Sequence, residues 1–336
     1  MNCKERVIAA IQHQETDFTP YSILFTPEEK EKMAEYYADP DFEEKIGNHF
    51  AYMDIRPPKE EVRPGYTKDD FGVVFNRTQD KSIGVVEEYP VNAENVDAFP
   101  FPDPKDPRRY SNCKKVLETC SDKFIVAKYS HCLFERGWIL YGMEELMSDM
   151  ILNPQAVNRL FDRITEYFLD LLDCIAPYEG VDCVHYGDDW GQQKGLIMGP
   201  RLWRTFIKPR MKEIYQKAKA MGKYVYIHTC GDIHEILPDM IEIGVDIYDP
   251  FQPEVFDIYE LKKEYGKDIT FLGGISLQHT LPFGTTAEVT AETAHKARVL
   301  SAGGGYIAAP SHAITKDVPA ENVDAMLKVL KNQKSI

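Results

Sequence analysis

The sequence lacks any long apolar run, and this absence excludes a class of protein at the outset. No stretch approaches the roughly 18 consecutive apolar residues that a membrane-spanning helix requires, although 43% of the 336 residues are hydrophobic. The N-terminal segment MNCKERVIAAIQHQETD has no apolar block followed by a small-residue cleavage site, so it does not have the pattern of a signal peptide. We therefore expect a cytoplasmic protein that makes no contact with membranes.

Paired cysteines and basic residues are also scarce. The seven cysteines are an odd number without a paired spacing, which predicts free thiols rather than disulfides. Lys and Arg number 39 against 54 Asp and Glu, giving a formal net charge of −15. This charge disfavours nucleic acid, anionic lipid and polyanionic substrates by long-range repulsion, unless a local basic pocket overrides it. A neutral or cationic small molecule, or a protein partner, is easier to accommodate.

What the sequence contains is an alternation of short β-branched or aromatic runs with helical stretches, without internal repeats. Eight candidate strands stand at 20–25, 51–55, 124–130, 181–187, 223–228, 245–250, 269–274 and 305–310. Eight strands alternating with helices predict a single (β/α)8 TIM barrel spanning residues 1–336. A doubly wound sheet would instead need a Gly-rich turn after an early strand, and the sequence has none there.

One region does not follow this alternation. A Pro- and charge-rich excursion, about residues 56–123, separates the second candidate strand from the third. Its segments 71–78 and 82–90 resemble two strands, and we predict that they form a hairpin inserted in a loop.

Polar side chains follow the apolar runs directly, where a TIM barrel carries its chemistry. They are Glu135, Arg136, Asp188, Asp189, His228, Cys230, Asp249, Gln252, Glu254, Ser276 and His312. His228 and Cys230, in YIHTCG, are two residues apart on an extended segment, so both side chains project to one side. The spacing alone leaves open whether this pair binds a metal, or whether His228 binds substrate while Cys230 is a small core residue.

A metal site needs a third ligand. Zinc accepts imidazole and thiolate, and a catalytic zinc commonly has three protein ligands. His312, at the end of the last candidate strand, is the best third ligand, and Asp188 or Asp189 is the carboxylate alternative. If the pair binds a metal, the sequence therefore predicts a zinc site formed by His228, Cys230 and His312.

The remaining candidates are assigned by position. Asp188 is favoured over Asp189 as a catalytic carboxylate, because adjacent residues at a strand end rarely both face the pocket; the alternative is a helix N-cap. Glu254 is a plausible general acid.

The Glu135-Arg136 pair is expected to be an internal ion pair. Substrate-binding positions are predicted at Tyr186, Asp189, Trp190 and Gln252.

Four segments resemble the uroporphyrinogen decarboxylase superfamily over nearly the whole chain. They are FERGWILYGMEELMSDMILNP (134–154), GDDWGQQKGLIMGPRLWRTFIKPRMKEI (187–214), IHTCGDIHEILPDMIEIGVDIYDPFQPE (227–254) and GGGYIAAPSHAIT (303–315). The resemblance implies a (β/α)8 barrel. It also implies either a tetrapyrrole decarboxylase or a zinc-dependent methyltransferase that acts with a corrinoid protein.

Two departures separate these branches. No arginine occurs between Arg6 and Arg56, where the decarboxylases carry an MRQAGR-like segment that binds substrate carboxylates. The HTCG context of His228 and Cys230 resembles the methyltransferases, which commonly complete the zinc site with a cysteine in an APGCG-like turn, whereas this chain has His312 in APSHA. The resemblance thus implies methyl transfer between a small methylated compound and a corrinoid.

The partner and the alternatives follow from the same resemblance. The chain has no DxHxxG cobalamin signature, so a separate protein is expected to supply the corrinoid. A decarboxylase, and an inactive barrel that binds a corrinoid partner, stay open as alternatives. A homodimer also stays open, since the sequence does not fix the oligomeric state.

Overall fold

The computed structural model of the protein describes residues 1–79 and 84–333. Its strands are β1 (Phe50–Asp54), β2 (Glu60–Arg63), β3 (Tyr66–Lys68), β4 (Val74–Asn76), β5 (Val85–Val86), β6 (Phe124–Tyr129), β7 (Cys183–Gly187), β8 (Gly191–Gln192), β9 (Gly195–Leu196), β10 (Tyr224–His228), β11 (Ile247–Phe251), β12 (Thr270–Ile275) and β13 (Tyr306–Pro310).

Helices precede, separate and follow these strands. They are α1 (Cys3–Ile11), α2 (Pro27–Tyr37), α3 (Phe42–Lys45), α4 (Cys113–Thr119), α5 (Leu133–Tyr141), α6 (Met143–Leu152), α7 (Pro154–Ile175), α8 (Gly199–Leu202), α9 (Lys208–Ala220), α10 (Leu237–Ile243), α11 (Ile258–Tyr265), α12 (Thr280–Phe283), α13 (Thr286–Leu300) and α14 (Ala320–Lys331). A π-helical segment joins α8 to α9, and single 3₁₀ turns lie at Pro107–Tyr110 and His234–Ile236. None of the helices in the described ranges is both long and apolar enough to cross a membrane.

A curled parallel sheet forms the centre of this α/β fold. Its seven strands lie in the order β1-β6-β7-β10-β11-β12-β13, which is the order in which they occur along the chain. These strands confirm seven of the eight runs expected from the sequence. They are buried because helices cover the outer face and inward side chains fill the interior, as parallel sheets require.

The eighth expected strand, residues 20–25, does not form a ladder. It makes isolated parallel bridges at Tyr21 with Ala308 and at Phe25 with Ile314. Backbone hydrogen bonds join Ala308 N to Pro20 O at 2.8 Å and His49 N to Tyr21 O at 3.1 Å. Pro20 has no N–H to donate, and the side-chain amide of Asn48 bonds both backbone groups of Ile23. The segment therefore contacts both the last strand and the start of β1 without being a regular strand.

The inner face of the sheet forms its own hydrophobic layer. Alternate residues such as Phe50, Val126, Tyr226 and Ile307 meet there, and Val7, Ala10 and Ile11 of α1 pack against them. A larger hydrophobic layer lies between the sheet and the surrounding helices. Because side chains alternate across a strand, one apolar run supplies both layers, and α1 contributes apolar side chains only to the inner one.

The excursion after β1 folds as an antiparallel sheet of four strands, ordered β2-β3-β4-β5. β4 and β5 lie within the two segments expected to form a hairpin and pair antiparallel, while residues 82 and 83 of that prediction lie outside the described residues. Arg136 on α5 bonds Asp69 at 2.7 Å, and Arg109 pairs with Asp70. Both ion pairs are largely buried. The pair of Arg136 and Asp69 attaches the excursion to α5, and the pair of Arg109 and Asp70 lies within the excursion.

Candidate functional site

A cavity of about 270 Å³ opens at the carboxyl ends of the parallel strands. Its walls come from nearly every strand of the sheet and from the loops that follow them. The charged and polar lining residues are Ser22, Tyr52, Lys128, Ser130, His131, Glu135, His185, Asp189, Tyr226, His228, Asp249 and His312. The location agrees with the sequence-based expectation that the chemistry lies where the apolar runs end.

His228, Cys230 and His312 come together where the two histidines line this cavity, and Cys230 lies beside them outside the lining. One ligand atom from each lies within 4.8 Å of the others, and the rings of His228 and His312 are 5.3 Å apart between centroids. Cys230 Sγ is 3.4 Å from His228 Nε2. His228 is the last residue of β10, and His312 lies in the loop after β13. One histidine therefore precedes Cys230 in the chain and the other follows it.

The donor set fits a zinc ion. Tetrahedral zinc, with bonds of about 2.3 Å to sulfur and about 2.0 Å to nitrogen, places neighbouring ligand atoms about 3.3–3.6 Å apart. The separation of Cys230 and His228 already has this value. His312 is exposed, and its ligand atom lies within 4.8 Å of those of His228 and Cys230.

Asp249, at the end of β11, holds the ring of His228. Its Oδ2 lies 2.5 Å from His228 Nδ1 and also accepts a hydrogen bond from the Tyr226 hydroxyl at 3.2 Å. Burial lowers the pKa of His228, but the Asp249 carboxylate and, after it, Cys230 together outweigh burial and raise that pKa well above its ordinary value. A carboxylate on the far nitrogen of a histidine is the usual partner of a metal ligand, and sequence reasoning assigned Asp249 no such role.

The loop that carries Cys230 is fixed from two sides. Asp189 Oδ1 accepts a hydrogen bond from Cys230 N at 2.8 Å, and Gln252 Oε1 accepts one from Gly231 N at 2.8 Å. Of these two predicted substrate-binding residues, Asp189 lines the cavity and Gln252 is outside the cavity lining. Burial raises the pKa of the Cys230 thiol, and the neighbouring His228 lowers it by a smaller amount.

Asp188 lies away from the cavity, contrary to the preference given to it over Asp189. Its carboxylate is fully buried and accepts hydrogen bonds from Phe134 N, Glu135 N and Trp190 Nε1 at 3.1, 2.7 and 2.6 Å. It therefore caps the N-terminus of α5, which was the alternative considered. Burial raises its pKa to about 7 despite these donors.

Glu135 takes the cavity position instead. The expected internal ion pair with Arg136 is wrong, because Arg136 bonds Asp69 and Glu135 lines the cavity. Burial raises the pKa of Glu135 to about 8, and the charges of Asp189 and Asp188 add to this effect. Adjacent residues of a helix point in different directions, and recognising that 133–141 is helical would have separated the pair.

Three other predicted site residues do not line the cavity. Tyr186 and Trp190 are buried among aromatic side chains, with Tyr186 beside Phe168 and Trp190 beside Trp203. Glu254 accepts a hydrogen bond from the Ser276 hydroxyl at 2.5 Å. Tyr186 lies on β7 between His185 and Gly187, which do line the cavity, so strand alternation turns it towards the helices.

Comparison with known proteins gives the following similarities. The family model described as Uroporphyrinogen decarboxylase (URO-D) matches residues 68–333. Methylcobamide:CoM methyltransferase MtaA of Methanosarcina barkeri is 28% identical over 131 residues, or 39% of this chain and 36% of that protein. Methylated-thiol–coenzyme M methyltransferase of Methanosarcina mazei is 20% identical over 224 residues, or 67% of this chain and 55% of that protein. The matched regions thus span about a third to just over half of these relatives.

A solved structure has the same overall fold. A methyltransferase from Methanosarcina mazei superposes with a TM-score of 0.76 at 18% identity, covering 99% of both chains. At this identity the similarity concerns the arrangement of strands and helices.

Proposed function

The chain belongs to the uroporphyrinogen decarboxylase (URO-D) family, and from that premise we propose that it is a zinc-dependent methyltransferase. It moves a methyl group between a small methylated compound and the cobalt of a corrinoid carried by a separate protein. The observation that carries the proposal is the convergence of His228, Cys230 and His312 at the open end of the sheet. The names of the two methanogen relatives, which are methyltransferases, support the same reaction class.

The residues divide the work according to their geometry. His228, Cys230 and His312 would hold the zinc, which when bound lowers the pKa of a thiol or alcohol and stabilises its anion. Asp249 fixes the ring of His228 through Nδ1, so that Nε2 faces Cys230. Asp189 positions Cys230 through the backbone N–H of that residue.

Glu135 is the proposed proton donor and acceptor of the site. Its side chain faces the same cavity as His228, and burial raises its pKa to about 8, so it carries a proton near neutrality. An acid with a pKa near the working pH is suited to protonate a leaving oxygen or nitrogen. We assign this role to Glu135 in place of Asp188 and Glu254, whose carboxylates accept hydrogen bonds outside the cavity.

The two alternatives differ from this proposal at identifiable features. An inactive scaffold would be expected to lack a complete set of metal-binding side chains. The convergence of His228, Cys230 and His312 therefore supports an enzyme over a scaffold. A uroporphyrinogen decarboxylase would need several basic side chains around its substrate. Basic residues of the excursion do lie beside the cavity, which weakens the charge argument, so the donor set is the feature that separates the two reactions.

The test combines metal analysis with methyl transfer. Wild-type protein is expected to bind about one zinc per chain and to methylate Co(I) cobalamin from a panel of methoxylated and methylated compounds. It is expected not to decarboxylate uroporphyrinogen. Cys230→Ala should weaken zinc binding by about 10–100-fold or more, judged from the sensitivity of outer ligands, and should abolish transfer with the fold intact.

Cys120→Ala is the matched control, because Cys120 is a partly exposed free thiol on another part of the chain. It should retain both zinc and activity. Full zinc binding and full transfer in Cys230→Ala would contradict the proposal, as would turnover of uroporphyrinogen by the wild type.

A further inference from the structure

The loop that carries His312 is held by a part of the chain far from it in sequence. The name ligand loop is used here for residues 311–319, which join β13 to α14. Its first residue is fixed by β12, because Ser311 N donates a hydrogen bond to Ile275 O at 2.9 Å. From His312 onwards the ligand loop leaves the parallel sheet, so its position depends on other contacts.

The N-terminal segment supplies the first of these contacts. Ile314 N donates to Leu24 O at 2.8 Å, and Thr26 N donates to Ile314 O at 2.9 Å. Thr26 is also the N-cap of α2, since its hydroxyl oxygen accepts a hydrogen bond from Glu29 N at 3.3 Å. The start of α2 is therefore fixed against the residue that lies two positions after His312.

Lys32 of α2 supplies the second contact. Its Nζ donates to Lys316 O at 2.9 Å and to Val318 O, and it lies 2.5 Å from Glu29 Oε2. An ammonium group has three N–H donors, and these three oxygen atoms match them. One side chain thus ties two carbonyl groups of the ligand loop to α2.

Glu29 keeps this ammonium in place. Its side chain is fully buried, and a buried carboxylate is costly unless a cation compensates its charge. Burial raises the pKa of Glu29, Lys32 opposes this shift, and Asp317 of the ligand loop adds to it. Lys30 of the same helix lies on a different face and pairs with Glu43 of α3.

These contacts come from outside the region that matches the family model, because that match begins at residue 68 and α2 ends at Tyr37. We propose that Lys32 is a positioning residue for His312, which holds the ligand loop so that the imidazole completes the metal site. The inference rests on the proposed function, in which His312 is a zinc ligand. Without Lys32, the carbonyl groups of residues 316 and 318 lose their donor, and the ligand loop is free to carry His312 away from Cys230.

The experiment compares zinc dissociation constants, measured by competition with a chelator. Lys32→Met should weaken zinc binding about tenfold or more, which is the usual effect of losing a group that orients a ligand. Lys30→Met is the matched control, because it makes the same substitution on the same helix at a lysine that faces α3. It should bind zinc as the wild type does.

A double-mutant cycle separates positioning from a general loss of stability. In a His312→Ala background, Lys32→Met should weaken zinc binding by less than about twofold, because a residue that acts through His312 has nothing left to position. With cobalt(II) in place of zinc, the absorption spectrum of Lys32→Met should resemble that of His312→Ala.

A second variant covers the case in which Lys32→Met does not fold. Glu29→Gln combined with Lys32→Met removes the buried charge together with its partner, which is much less destabilising than removing one partner. This double variant should fold, as judged by urea unfolding, and still bind zinc about tenfold more weakly than the wild type.

The inference and the proposed function fail separately. Zinc binding by Lys32→Met or by the double variant that equals the wild type would overturn the inference alone. So would a full tenfold effect of Lys32→Met in the His312→Ala background. Zinc binding that depends on Lys32, without any methyl transfer by the wild type, would overturn the proposed function alone. A wild-type protein that binds no zinc would overturn both.

Discussion

The carboxylate of Asp249 decides which nitrogen of His228 is available to a metal. Because Asp249 Oδ2 lies 2.5 Å from Nδ1, the opposite nitrogen, Nε2, is left facing Cys230. Asp249→Ala should therefore let the ring rotate and change its tautomer, and zinc affinity should fall about 10–100-fold. The zinc dissociation constant, measured by competition with a chelator, checks this.

Tyr226→Phe is the control for this substitution. It removes the hydroxyl that donates to Asp249 but keeps the carboxylate on His228, so its zinc affinity should stay within a few-fold of the wild type. Equal zinc affinity in Asp249→Ala and the wild type would show that the carboxylate does not position the ligand.

At the scale of single residues, the sequence was sufficient to predict that His228 and Cys230 lie close together, because their proximity depends only on local spacing. The two-residue interval between His228 and Cys230 places both at one point because the strand end is extended. The roles of Asp188 and Glu135 could not be predicted in this way. They depend on where α5 begins relative to β7, and that relation comes from packing rather than from the spacing of residues along either element.

Among the elements, the turn after β10 is the most tightly constrained by its neighbours. Gly231 has φ +83°, and a Cβ there would overlap the backbone of Gly191 and Gln192 in the β8–β9 hairpin. Gly231→Ala should therefore lower the free energy of unfolding by more than the roughly 1–2 kcal/mol of a left-handed alanine. The same substitution should also weaken zinc binding, because Cys230 immediately precedes Gly231 in the chain.

Gly222→Ala is the matched control, because Gly222 has φ +73° and open space around its Cα. It should show the conformational cost alone and bind zinc normally. Urea unfolding of both zinc-free variants separates the two effects. Equal destabilisation of Gly222→Ala and Gly231→Ala would indicate that the hairpin moves aside.

The elements themselves were largely predictable, since seven of the expected strands form the parallel sheet. Their short apolar runs are buried on both faces, which gives a strong pattern. Residues 20–25 have a similar composition but share their hydrogen bonds with side chains such as Asn48, which no periodicity reveals. The four short strands of the excursion have mixed exposure, so their pattern is weak.

For the whole molecule, acid stability depends on His49, a buried histidine just before β1 that does not line the cavity. His49 is 1% exposed, and Arg6 Nη1 donates to its Nε2 at 3.0 Å. Burial and then the charge of Arg6 lower the pKa of His49 to about 4. Between pH 6.5 and 4 the unfolded chain therefore binds a proton that the folded chain does not, and stability falls as pH falls.

The size of this effect follows from the shift. Between pH 7 and pH 5, His49 should contribute about 2 kcal/mol to the loss of unfolding free energy, at about 1.4 kcal/mol per pKa unit. His49→Gln, which does not titrate, should show a correspondingly smaller decrease over the same range in urea unfolding. Parallel pH dependence in the variant and the wild type would contradict this assignment.

The pairing of residues 20–22 with Ala308 also bears on how the chain is made. Ser22 N and Pro20 O bond the backbone of Ala308, a residue that the ribosome adds roughly 290 positions later. At about 5–20 residues per second, the early segment waits about 15–60 s for this partner during translation. The backbone groups of Pro20 and Ser22 that bond Ala308 in the folded protein therefore lack this partner until the last strand emerges from the exit tunnel.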